Sequence, residues 1–287
     1  KESAYGLRRF FVGLAKKVLL ADQFALVCDA LYGSPIEDLN ILSAWLAAFA
    51  YMLQIYFDFS GYSDMAIGLG HIFGFKFKEN FNYPYKSKSI KEFWRRWHIS
   101  LSTWFLEYVY IPLGGNRKGR LRACLNKVAV FFLCGLWHGA SWTFVIWGLY
   151  HGLFLLIEEY IPVIRRLPSF LGHLYAMLVV IFGWVLFRAE TFSQAIGMMG
   201  LMIAGFSFSH VQMALFCEQL TPMFLTACLF GVFACLPVKA LVESHIKSAQ
   251  GGACIQVVMF IVAFVLMCIC VLEISSGSYS PFIYFRF

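Results

Sequence analysis

The sequence predicts an all-α, polytopic membrane protein, and two observations carry that expectation. Of 287 residues, 60% are hydrophobic and 14% charged, against about 25% charged in ordinary soluble domains. With a mean hydropathy of +0.71, too little polar surface remains to face water. Several uncharged runs also reach, or nearly reach, the roughly 20 residues that a spanning helix needs.

Taken in order, residues 5–32 read as an amphipathic segment. Arg8, Arg9, Lys16 and Lys17 interrupt its apolar stretches, which favours the membrane interface over a crossing. Gly33-Ser34-Pro35 forms a turn. Ile41–Phe57 is uncharged and ends at Asp58. Ile90–Tyr108 has a helical period, with Ile90, Phe93, Trp94, Trp97, Leu101, Trp104, Phe105 and Tyr108 on one face. A basic helix with a Trp-rich face belongs among headgroups. His98 borders that face, with Ser102 one turn on. Pro112 and the paired glycines 114 and 115 then break the helix, and Asn116–Gly119 read as a wet loop.

Val128–Ile157 contains no Asp, Glu, Lys or Arg across thirty residues, yet holds His138 and His151. Phe170–Phe187, Gln219–Val238 and Ser248–Leu272 are each long enough for one pass. Thr191–Cys217 is broken by glycines and serines, as a kinked pass or a re-entrant pair would be. Five to eight passes are expected. The chain starts Lys1-Glu2-Ser3 without Met or a visible signal peptide, so a portion N-terminal to it is expected to be missing.

The net charge is +7, with seven basic residues between Lys76 and Arg96 and five between Arg117 and Lys127. Cytoplasmic loops near anionic headgroups explain such clusters. A docking surface for an acidic partner or a phosphate-bearing donor is the sharper reading. Nucleic-acid binding is not expected, because no basic soluble domain exists to carry it. Nine cysteines are present, mostly in apolar runs and without a Cys-x-x-Cys pair, so they read as small buried hydrophobes.

His138 lies about ten residues into the uncharged run, roughly half the depth of a 30 Å hydrocarbon core at 1.5 Å per residue. A core histidine bonded to a neighbour is the ordinary reading. An imidazole at that depth is nevertheless costly without a polar cavity, which makes it a candidate proton-handling group. Gly135, Gly139 and Ala140 leave room for another helix or an acyl chain to approach. His98 is as readily an interfacial histidine bonded to lipid or protein. His71 and His151 read as packed or bonded structural residues, and His173, His210 and His245 sit in connections. Neither His-x-x-x-His nor a Cys/His cluster occurs, so no metal is expected. Asp58 and Asp64, with neighbouring hydroxyls, read either as a cap at the end of a span or as a polar pocket that orients a histidine. No Gly-x-Ser-x-Gly elbow or nucleotide-phosphate loop is present.

Four ordered stretches, Tyr56–Gly68, Glu92–Trp104, Tyr110–Gly119 and Leu136–Ala140, together resemble the membrane-bound O-acyltransferase family in its bacterial alginate O-acetylation branch. The closing Pro281–Phe287 is similar to that branch's C-terminus. The resemblance implies a single membrane-embedded acyltransferase domain over 1–287, the C-terminal two-thirds of a typical member. It implies His138 as the catalytic histidine and His98 as the second. Trp137, Ser102, Asp58, Asp64 and Asn116 are the candidate substrate-contacting residues. Two departures stand out: Leu106-Glu107 where Arg-Asp is usual, and Ser280 in place of a frequent Asn.

The expected fold is a bundle of tilted and re-entrant helices around a central funnel that leads to His138. The expected function is acetyl transfer from a cytoplasmic thioester donor (acetyl-CoA or another acyl thioester) to an extracellular polysaccharide such as alginate. No cofactor is expected, and an extracytoplasmic acetyl-transfer partner protein is. The expected location is the bacterial inner membrane, multi-pass, among lipid. D-alanyl transfer to teichoic acid, peptidoglycan O-acetylation and proton-coupled transport are the alternatives; no paired interrupted helices from two repeats support the last.

Overall fold

The structure, a computed structural model, describes residues 2–237 and 252–276. Among them every regular element is a helix. They form two compact units interleaved along the chain, one built from 2–27, 53–79 and residues from 219 onward, the other from 28–52 and 80–218. His245, Ser280 and the closing Pro281–Phe287 lie outside the described residues.

In the first unit, α1 (Glu2–Ala15) runs through a wide π turn, Lys16–Ala21, into α2 (Asp22–Tyr32). α1 packs antiparallel to the second half of α3 (Ile41–Ile72) at two glycine pairs, Gly6 against Gly68 and Gly13 against Gly61. A Cβ built on Gly13 would stand 2.6 Å from the Gly61 carbonyl oxygen, so only glycine permits the approach. That closeness brings charges together. Asp64 accepts from Arg9 Nη2 at 2.8 Å and from Lys16 Nζ at 2.6 Å, and Asp58 pairs with Lys17 Nζ at 2.7 Å. Asp58 therefore does not end a span: α3 continues fourteen residues beyond it because α1 and the π turn supply its counter-charges.

The second unit starts with the first half of α3. α4 (Ile90–Trp94) and α5 (Ile99–Phe105) follow, with Leu106–Tyr110 as a π turn. The expected single helix over Ile90–Tyr108 is thus broken at Arg95–His98. His98 adopts φ 45°, ψ 57°, a left-handed conformation that no helix interior accepts. The break is fixed from outside, because the Asn82 N–H donates to the Arg96 carbonyl (2.9 Å) and the Ile99 N–H to the Asn80 carbonyl (3.0 Å). α4 itself is short but firmly capped. The Ser89 hydroxyl accepts from the Glu92 N–H, and Glu158 accepts from the Ile90 and Lys91 N–H groups. Burial works against the Glu92 carboxylate, yet the Lys88 N–H and the Arg96 guanidinium hold its carboxyl below the usual range.

α6 (Arg120–His138) and α7 (Trp142–Tyr160) are an antiparallel hairpin, not one span through Val128–Ile157. Gly139 stops α6, and Ser141 caps α7 by accepting from the Thr143 N–H. Lys127 pairs with Glu159, which closes the open end of the hairpin. α8 (Pro162–Arg165), α9 (Ser169–Arg188), α10 (Phe192–Ala204) and α11 (His210–Glu218) complete this unit; α12 (Pro222–Ala234) and α13 (Gly252–Ser275) belong to the first. The core of the second unit is aromatic: Trp97 lies 4.8 Å from Trp184 and 5.6 Å from Phe93, and Trp147 stacks on Trp184 at 6.1 Å.

Three helices are long and apolar enough to cross a membrane, α3, α9 and the Ile255–Ser275 part of α13, or four if α11 and α12 form one bent span. Among the described residues this is fewer than the five to eight passes expected. The hairpin divides the longest uncharged run, and α10 has only 13 residues.

Replacing Asp64 with Ala takes the carboxylate from Lys16 and leaves Arg9 with Glu79 alone, and breaking such a buried pair costs on the order of 3 kcal/mol. The detergent-solubilised D64A variant should melt well below the parent, as followed by helical circular dichroism.

Candidate active site

Helix α6 ends on His138, which is held between aromatic edges. Trp137, Trp147 and Phe187 lie 4.9, 5.1 and 5.1 Å away by ring centroids. Two glycines set that position. A Cβ on Gly135 would lie 2.5 Å from the Phe144 carbonyl oxygen, and one on Gly139 would lie 2.6 Å from the Phe144 ring. The small residues flanking Trp137-His138 therefore admit a neighbouring helix, α7.

His98 reaches the same place from a different part of the chain. Its ring lies 6.2 Å from that of Trp137, and the same indole lies 4.9 Å from His138. Two histidines forty residues apart thus flank one indole. Each is 9% exposed, while Trp137 is 55% exposed. The His98 tautomer follows from its partners. Asn80 Oδ1 accepts from the Ser100 N–H at 3.1 Å, which identifies that atom as the oxygen. His98 Nδ1, 3.2 Å from the same oxygen, must then be the donor. Nε2 is left as the basic nitrogen.

A cavity of about 870 Å³ lies in this unit, lined by Ser102, Cys134, Leu106, Asn116, Lys127 and Arg95 among others. Its wall does not include either histidine ring. It reaches Ser102, one turn beyond His98, and Cys134, one turn before His138. The expected funnel is therefore a cavity whose inner wall stops one helical turn short of both imidazoles. Lys91, Arg95 and Lys127 also line it. Leu106, at the position that departs from the usual arginine, contributes apolar surface. The side-chain Oδ1 of Asn116 accepts from the Tyr110 hydroxyl at 2.5 Å. The loop carrying Asn116 is pinned by Asn126, which donates to the Gly115 carbonyl at 3.1 Å. Gly115, at φ 52°, and Gly114, at φ 107°, take conformations that side chains rarely adopt.

The structure brings His138, His98 and Trp137 together and sets Ser102 and Asn116 on the cavity wall. Asp58 and Asp64 belong to the other compact unit, in ion pairs with Lys17, Arg9 and Lys16. Of the remaining histidines, His71 bonds Glu2 (2.8 Å), His173 faces the Ser87 carbonyl (3.1 Å) and His151 is fully buried among Phe93, Trp94 and Trp147. Among the described residues no cluster of His, Cys, Asp and Glu could hold a metal ion. Sequence reasoning missed Asn80, which orients His98, and Glu158, which caps α4. The Ser89-x-x-Glu92 capping box was readable, but the contacts of Asn80 and Glu158 cross 18 or more residues and leave no local signal.

The comparison of sequences gives the class of this all-helical chain: a membrane-bound acyltransferase. The match to MBOAT, the membrane-bound O-acyltransferase family, covers residues 1–199, and the chain belongs to that family. It is 42% identical to the probable alginate O-acetylase AlgI of Pseudomonas putida, over 98% of this chain and 61% of that protein. It is 44% identical to the peptidoglycan O-acetyltransferase of Helicobacter pylori over 72% of this chain and 41% of that one. To the teichoic acid D-alanyltransferase of Bacillus subtilis the identity is 32%, over 66% of this chain and 50% of that one. The chain spans less than two thirds of the length of these relatives.

With the Asn80 acceptor removed, the Ser100 hydroxyl that donates to it is freed to donate to His98 Nδ1, 3.3 Å away, so the proton is no longer held on that nitrogen. In protein labelled with ¹⁵N-histidine, the parent should show one Nδ1–H tautomer for His98 at neutral pH, and Asn80→Ala a mixture of tautomers.

Proposed function

We propose that the chain carries the acyl-transfer machinery of a multi-pass inner-membrane O-acetyltransferase. It moves acetyl from a cytoplasmic thioester, such as acetyl-CoA, toward a hydroxyl of an extracellular polysaccharide of the alginate type. The observation that supports this reading most is the convergence of His98 and His138 on Trp137, one turn from a cavity large enough for a donor arm. Lys91 and Arg95 on the cavity wall suit the phosphates of such a donor, while Lys127 there is paired with Glu159, and the apolar Leu106 suits its acyl end.

In the step itself, His138 takes the proton of the acceptor hydroxyl as its oxygen attacks the thioester carbonyl. The new C–O bond forms, the C–S bond breaks, and the proton passes from His138 to the departing thiolate. His98, with Nδ1 anchored on Asn80, presents Nε2 to orient the acceptor or to share the proton. Trp137, between the two rings, and Ser102, on the wall, are the residues placed to touch substrate. Asn116 stands among the polar groups of the wall. The acceptor hydroxyl belongs to the polymer or to an extracytoplasmic partner that relays the acetyl group. Asp58 and Asp64 act here as counter-charges to Lys17, Arg9 and Lys16.

The 44% identity to a peptidoglycan O-acetyltransferase makes peptidoglycan the second acceptor to test. Mass analysis of esters on isolated alginate-type polymer and on peptidoglycan separates the two. An alanyl ester in place of acetyl would move the reading to D-alanyl transfer.

A positioned general base contributes about 10²–10⁴-fold. His138→Ala in the full-length protein should therefore lower polymer O-acetylation by at least about a hundredfold, with yield and helical circular dichroism near the parent. Normal acetylation by well-folded H138A contradicts the assignment.

A further inference from the structure

The segment that leaves α3 carries a second feature, unconnected with the histidines. Phe73, Phe75 and Phe77 are 73%, 64% and 59% exposed, with Lys76 and Lys78 exposed beside them. The segment is held in place. Gly74 turns the chain at φ 84°, the Phe75 N–H donates to the Gly70 carbonyl at 2.8 Å, and the Phe77 ring lies on Gly70 where a Cβ would stand 2.6 Å from it. The Phe75 and Phe77 rings stack at 6.5 Å with 23° between their planes. Their exposure is thus a built arrangement.

We propose that residues 73–78 form a binding site for anionic phospholipid, with the phenylalanines among acyl chains and Lys76 and Lys78 on the headgroup phosphate. Position supports the aromatic half. The segment follows α3, a helix long and apolar enough to cross a membrane, and aromatic side chains next to such helices anchor a chain at the bilayer surface. Charge supports the other half. The nearby carboxylates are already engaged, Glu2 by His71 at 2.8 Å and Glu79 by Arg9. Lys76 meets Glu2 only at 4.0 Å, and Lys78 has no ion-pair partner among the described residues. Two exposed cations beside three exposed phenyl rings match the two halves of an anionic lipid, fatty and charged. A free phosphate or an acidic protein would leave the rings unused.

The test uses the full-length protein in nanodiscs of phosphatidylcholine with about a quarter phosphatidylglycerol, and spin-labelled analogues of both lipids. A lysine near an anionic surface is worth about fivefold in association. The parent should prefer phosphatidylglycerol, K76S/K78S should lose several-fold of that preference, and K76R/K78R should keep it. Helical circular dichroism should be the same in all three, since both lysines are exposed. An unchanged preference in K76S/K78S, or none in the parent, overturns the proposal.

Discussion

The close seam between α6 and α7 is the constraint on which the rest of the candidate site depends. Gly135 and Gly148 let the two backbones touch, Gly148 standing against the Phe131 carbonyl, and Phe144 fills the space that a side chain at Gly139 would need. A hairpin packed that closely must turn within three residues, and His138 is the last helical residue before the turn. Trp147 on the returning helix then meets the His138 ring and stacks on Trp184 of α9, so the imidazole is anchored to the aromatic core of its unit. Widening the seam by one methyl group would move the ring away from Trp147.

A second constraint, of a different kind, governs the other unit. The glycine pairs 6–68 and 13–61 hold α1 against α3, and Asp58 and Asp64 exploit the approach by taking cations from α1 and the π turn. Charged groups packed between apolar helices are tolerable only in pairs. These two carboxylates accordingly serve the packing of the first unit.

Much of this was legible in the residues. Composition alone set the class, and the order of the four motif stretches pointed to the family to which the chain belongs. His138 was conspicuous because thirty residues around it carry no charge. What the pattern hid were interruptions imposed from a distance. The period over Ile90–Tyr108 is truly helical, yet Asn80 and Asn82 bond into its middle and force His98 left-handed. The uncharged run looks like one span because glycine, serine and alanine at its centre are uncharged too, and hydropathy does not see a turn. The aspartates looked like pocket residues because their partners, Arg9, Lys16 and Lys17, lie over forty positions away in an apparently separate amphipathic segment.

The account stands or falls on whether the cavity delivers an acyl group to His138 across the single turn that separates them. A structure of the full-length protein with a non-transferable thioether analogue of acetyl-CoA measures this directly. The analogue's pantetheine arm should run past Ser102 and Cys134 and place its carbonyl carbon roughly 3.5 Å from the oxygen of an acceptor bonded to His138, the distance of a reactive approach. An arm bound elsewhere, with His138 still closed off by Trp147 and Phe187, would contradict the account.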